Sequence, residues 1–166
     1  MPTNFLWAPG TSNNGLLTAA ITLMTTELES VTSGSVIVSS VNGSSGLFTN
    51  SNTAQAIWAY LYYYPGNAGC TPTAGAALSG WFLESLDGGT TFEPTTVALA
   101  RPPDWIIPLP ASAIGGANTI VYRTSTLVRV PALEFKVLAQ NNAGATFGAG
   151  ATTAPSLKMA PVAVQY

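Results

Sequence analysis

Four carboxylates crowd one stretch of the chain: Glu84, Asp87, Glu93 and Asp104. With no histidine anywhere in the 166 residues, they are the main candidates for acid–base chemistry. A glycosidase would set two of them across a cleft, roughly 5 to 9.5 Å apart. The competing reading is structural: Asp87 closes a turn, Glu84 and Glu93 flank it, and Asp104 in Arg101-Pro102-Pro103-Asp104 shapes a bend. A calcium site on Asp87 or on the Asn-rich loops would need alternating acidic ligands, and no Asp-x-Asp-x-Asp spacing occurs. The absence of histidine removes the usual triads, dyads and zinc sites. Cys70 sits in a Gly/Pro loop (65–75) with no His or Lys close in sequence to lower its pKa, so it reads as a bystander. The structural reading is preferred. It implies no catalytic residue, no metal ligand, no cofactor and no enzymatic activity.

The second group able to do chemistry is aromatic. If Ile57-Trp58-Ala59-Tyr60-Leu61-Tyr62-Tyr63-Tyr64 is a strand, Trp58, Tyr60, Tyr62 and Tyr64 project from one face. Ile57, Ala59, Leu61 and Tyr63 then project from the other. Such a row could stack sugar rings, or form a protein interface, where Tyr and Trp bring much contact area at little entropic cost. In the opposite arrangement the aromatics fill the core and the small residues face out. Phe5 and Trp7, in a Pro- and Gly-rich terminal segment, are further contact candidates, since a terminal segment stays loose unless something ties it down.

Ser85-Leu86-Asp87-Gly88-Gly89-Thr90-Thr91-Phe92 fits Ser-x-Asp-x-Gly-x-Thr-aromatic and resembles the Asp-box of sialidase-type propellers. In those families the box is a hairpin device away from catalysis, and it recurs between blades. Here it occurs once, which predicts a tight β-hairpin held by Ser85, Asp87, Gly89 and Thr91 and implies no glycosidase.

The elements that must hold these groups are mostly strands. Leu17, Ile21, Met24 and Leu28 share a helical face, which predicts one short helix over about 19–30. After Gly34 the candidate strands are 36–38, 56–64, 78–86, 95–100, 105–109, 119–123, 126–130, 133–140 and 156–164. Each is bounded by Gly, Pro or Asn clusters. In 133–140 Leu133, Phe135, Val137 and Ala139 alternate with Glu134, Lys136 and Gln140, the pattern of a strand with one wet face. The prolines around Trp105-Ile106-Ile107 mark an edge or crossover strand. The expected architecture is all-β: an antiparallel β-sandwich, jelly-roll or immunoglobulin-like, over 34–166, preceded by an extended N-terminal arm and the short helix over 1–33.

Composition narrows the function classes. Charged residues make up 7% of the chain, against about 25% in an ordinary globular protein. The net charge is −2, and the five cations, Arg101, Arg123, Arg129, Lys136 and Lys158, are scattered in sequence. No basic stripe for phosphate neutralisation is present, so nucleic acid is not an expected partner. The longest apolar stretch, 54–64, is about half the ~20 residues of a membrane span, and no membrane partner is expected. The first residues lack the charged and apolar regions of a secretory signal, which predicts synthesis in a cytoplasm. So sparsely charged a surface is poorly solvated unless something covers it.

Several segments, in order along the chain, resemble small virion structural proteins of tailed bacteriophages. They are Trp7-Ala8-Pro9, Leu23-Met24-Thr25-Thr26-Glu27-Leu28, Gly80-Trp81-Phe82-Leu83-Glu84-Ser85-Leu86-Asp87-Gly88, Arg101-Pro102-Pro103, Val130-Pro131 through Asn142-Ala143-Gly144, and Leu157-Lys158-Met159-Ala160-Pro161. The resemblance implies a β-sandwich made in the host cytoplasm and assembled onto the virion. It implies no catalytic residues. The expected function is that of a capsid decoration or cement protein binding the major capsid protein or other virion proteins, as a homo-oligomer, with a trimer possible on family grounds. The alternatives are a tail or fibre accessory protein, a carbohydrate-binding module using the aromatic strand, and a small carboxylate hydrolase.

Overall fold

Short runs of apolar residues cut by Gly, Pro and Asn leave this chain little choice but strands. The computed structural model describes residues 6–7, 21–40, 46–49, 58–67, 69–115, 121–124, 126–148 and 153–164. Eleven strands occur among them: β1 (Leu6–Trp7), β2 (Ile21–Met24), β3 (Val36–Val38), β4 (Phe48–Thr49), β5 (Trp58–Tyr64), β6 (Ala77–Glu84), β7 (Trp105–Pro108), β8 (Tyr122–Arg123), β9 (Val128–Arg129), β10 (Glu134–Asn142) and β11 (Ser156–Val164).

They form two antiparallel sheets packed face to face. In sheet I, β1 and β2 lie end to end along one edge of β11, β5 lines its other edge, and β8 and β9 lie end to end beyond β5. Sheet II runs β3 and β4, then β10, β6 and β7. Each sheet is therefore four lanes wide. The pairing is nested: β6 with β7, β5 with β8 and β9, β10 with β3 and β4, β11 with β1 and β2. A long hairpin rolled upon itself gives this order, so the sandwich has jelly-roll rather than immunoglobulin-like topology. Among the described residues β7 pairs with β6 alone, which places the proline-flanked strand at the edge of sheet II.

The core is the space between the sheets. Ala59, Leu61 and Tyr63 of β5 with Leu157 and Met159 of β11 face Phe82 of β6, Ile107 of β7 and Phe135, Val137 and Ala139 of β10. Phe135 packs its ring against Phe48 and Phe82, with centroids 5.5 and 5.4 Å away. Asn141, wholly buried near the end of β10, donates to the carbonyls of Val31 and Ala145 and accepts from the Ala143 N–H, which stitches the loop before β3 to the loop after β10.

Four expectations are corrected. The helix over 19–30 is absent: residues 21–24 form β2, followed by a single 3₁₀ turn at Thr26–Leu28, while Leu17 and residues 19–20 lie outside the described residues. Met24 and Leu28 are both buried, which mimics a helical face, but Ile21 is exposed. A register shift opposite Leu157 and Lys158 turns the consecutive Leu23 and Met24 inward, and the β-branched threonines favour extended backbone. Residues 95–100 are irregular, not a strand. The Asp-box turn does not make a tight hairpin; it opens a long connection, 85–104, between β6 and β7. That connection folds over the outer face of sheet II, where Phe92 and Leu99 help cover Trp81, Leu83 and Leu138. The outer side of β10 is accordingly only partly wet, and Leu133 lies exposed rather than in the core.

Candidate interaction surface

β5 alternates strictly. Ala59, Leu61 and Tyr63 are buried between the sheets, so Trp58, Tyr60, Tyr62 and Tyr64 must lie on the outer face of sheet I. Trp58 is 40% exposed and the three tyrosines are partly exposed. The aromatic row faces outward. The rings of Tyr60 and Tyr62 have centroids 6.4 Å apart and planes inclined by 57°, so they make a ridged surface rather than a flat shelf.

Cross-strand register decides what surrounds the row. Residues directly opposite each other in an antiparallel pair share a face. Tyr62 lies opposite Lys158 on β11 and opposite Arg123 on β8, and Trp58 lies opposite Arg129 on β9. All three cations are exposed. Val121, 52% exposed and two residues before Arg123, adds aliphatic surface on this side, whereas Ile21 lies opposite the buried Met159 and does not flank the row. Trp7 joins the same sheet through its backbone, opposite Ala163, whereas Phe5 lies outside the described residues. The cations look scattered in sequence because strands far apart along the chain bring them together.

Three of the four carboxylates, Glu84, Glu93 and Asp104, line an open groove of about 520 Å³ between the end of β6 and β9. Arg101 holds Glu93 at 3.1 Å and Asp104 at 2.7 Å, and its Nη2 also donates to the Phe82 carbonyl at 2.9 Å. The other Asp104 oxygen accepts the Phe82 N–H at 2.7 Å. Burial works against the guanidinium charge, but Glu93 and Asp104 outweigh it and raise the Arg101 pKa. Two carboxylates are thus occupied in tying the loop to β6. Asp104 shapes a bend, as its setting among prolines implies. Among the described residues no group of three or more Cys, Asp or Glu could hold a metal ion.

The Asp-box turn is built as its residue types require. Asp87 Oδ1 accepts from the Ser85 hydroxyl at 2.7 Å and from the N–H groups of Thr90 and Thr91 at 3.2 and 2.8 Å. Ser85 Oγ in turn accepts the Gly89 N–H at 2.8 Å. Gly88 and Gly89 take φ of 70° and 83°, where a Cβ would be strained. Hydrogen bonds from Thr91 and Ser85 hold the Asp87 carboxyl far below the usual carboxylate range. Cys70 is half-buried in a backbone bridge with Ile114, and burial pushes its thiol up, the reverse of activation.

Comparison of the chain with models of known families, with curated proteins and with solved structures finds no match in any of the three.

Proposed function

We propose that the chain is a non-enzymatic structural subunit of a bacteriophage particle, a decoration or cement protein that binds and stabilises neighbouring capsid subunits. One observation carries the reading: a strand of alternating character directs four aromatic side chains outward on a protein with 7% charged residues. Exposed Trp and Tyr contribute most when desolvated by a partner, and arginine beside them is the composition of interface hot spots. The jelly-roll frame is compatible, since it is used for capsid domains, and equally for lectins, so the surface must decide. Purified particles test the proposal. Quantitative mass spectrometry should find hundreds of copies per particle; a handful would indicate a tail or fibre component, and none would overturn the assignment.

The outward tyrosines also favour a second reading, a carbohydrate-binding module. It predicts glycan-array binding that disappears in Tyr60→Ala/Tyr62→Ala. The mutual tilt of those rings suits an irregular protein surface better than a planar sugar chain.

A further inference from the structure

The twelve charged side chains all lie among the described residues, and they are segregated. The strands of sheet I carry Arg123, Arg129 and Lys158 and no acid. Sheet II and the connection covering it carry Glu84, Asp87, Glu93, Asp104 and Glu134 against Arg101 and Lys136, an excess of three negative charges. The other two acids, Glu27 and Glu29, sit at the 3₁₀ turn, where Glu27 accepts bonds from Thr25 and Ser40. The modest net charge of −2 therefore conceals three cations on the strands of sheet I and an excess of acids on sheet II and its connection, the two groups meeting at the groove where Arg129 and Glu84 both line the wall.

Much of this charge is used internally. Arg101 is ion-paired, Lys136 lies 4.6 Å from the centre of the Phe92 ring, and Asp87 is bound by its own turn. Arg129 lines the same groove as Glu84. Among the described residues, Arg123 and Lys158, on either side of Tyr62, are in no ion pair. Glu84 is exposed and lines the groove together with Leu86, which is 86% exposed.

We infer that the outer face of sheet I is occupied by a second copy of the chain, docked head to tail, with Arg123, Lys158 and the aromatic row of one copy seated against Glu84, Leu86 and the 85–104 connection of the next. The inference rests on the proposal that the protein works by packing against other subunits, and it names the subunit at this face. The charges select the geometry. A two-fold dimer through sheet I would bring cation against cation, whereas the heterologous contact brings opposite signs together and puts apolar side chains from both partners at the joint. Such a contact closes into a ring or extends into a row according to the rotation between copies.

Two variants isolate the two halves of the contact: Arg123→Glu/Lys158→Glu spoils the basic face, and Glu84→Lys/Leu86→Lys spoils the acidic one. All four positions are exposed, and circular dichroism checks that the fold is kept. In sedimentation velocity the wild-type chain should assemble at low salt and dissociate as salt is added. Each variant alone should associate more weakly by roughly tenfold or more. An equimolar mixture should recover association, because each variant keeps one intact face and the two reversed faces carry charges opposite to one another. The milder Arg123→Gln/Lys158→Gln should weaken assembly in the same direction. A wild-type chain monomeric at every concentration overturns the inference, as do variants that assemble like wild type or a mixture that fails to pair. A monomer that binds polysialic acid through Arg123 and Lys158 would give the face to a glycan and overturn it too. Abundant copies in particles together with a monomeric free chain would sink this inference and leave the structural-subunit reading standing.

Discussion

Asp87 shows how a single residue shapes its surroundings. Its carboxylate gathers the Ser85 hydroxyl and two backbone N–H groups, each of which favours the ionised form. The folded-state pKa is depressed, so the ionised turn contributes stability that is fully present above the ordinary Asp value of about 3.9 and declines as pH falls from there toward the depressed folded-state value. Asp87→Asn keeps the shape and removes the titration. The melting temperature of the wild type should therefore drop more steeply than that of the variant below about pH 4, and equal slopes in calorimetry would refute the role. This turn was legible in the sequence because its bonds lie within a few residues. The cation pair around Tyr62 was not, because Lys158, Tyr62 and Arg123 meet only through strand register.

At the scale of elements, β6 depends on what replaces its neighbour. β7 pairs with β6 only as far as Gly80 opposite Trp105, and at Phe82 side chains take over from a strand: Asp104 accepts the N–H and Arg101 donates to the carbonyl. Pro102 and Pro103 have no N–H to offer the Phe82 carbonyl, and the Arg101 guanidinium supplies that donor. Asp104→Ala strands a donor at a buried residue and should cost about 1–3 kcal/mol in denaturant unfolding. Arg101→Lys should recover little, since an ammonium lacks the forked reach to Glu93, Asp104 and Phe82 together. Gly80 tests packing at the same place. A Cβ there would collide with the Leu138 carbonyl and the Trp105 ring, so Gly80→Ala should lower stability by about 1–3 kcal/mol, whereas an unchanged denaturation midpoint would contradict the close approach. Sequence periodicity located β5, β6, β10 and β11 well. It misread 21–28 as a helix because a bulge followed by a 3₁₀ turn buries Met24 and Leu28 four residues apart.

For the whole molecule, the two faces of β5 have separable duties. Leu61 is fully buried between the sheets, and Leu61→Ala should cost about 2–5 kcal/mol of stability. Tyr62→Ala, one residue along and outward, should leave the melting temperature nearly unchanged while weakening assembly measured by sedimentation. Parallel losses in both variants would show that the outer row belongs to the folding unit and not to a contact. The amino-acid sequence alone determined the β class, the edge character of the proline-flanked strand and the local chemistry of the Asp-box turn, because alternation, missing N–H groups and short-range hydrogen bonds are properties of neighbouring residues. Only the tertiary structure decided between jelly-roll and immunoglobulin-like order, turned the aromatic row outward and sorted the charges onto opposite sheets. Those outcomes depend on which distant strands pair and in what register, and that is settled by burial of the whole core at once.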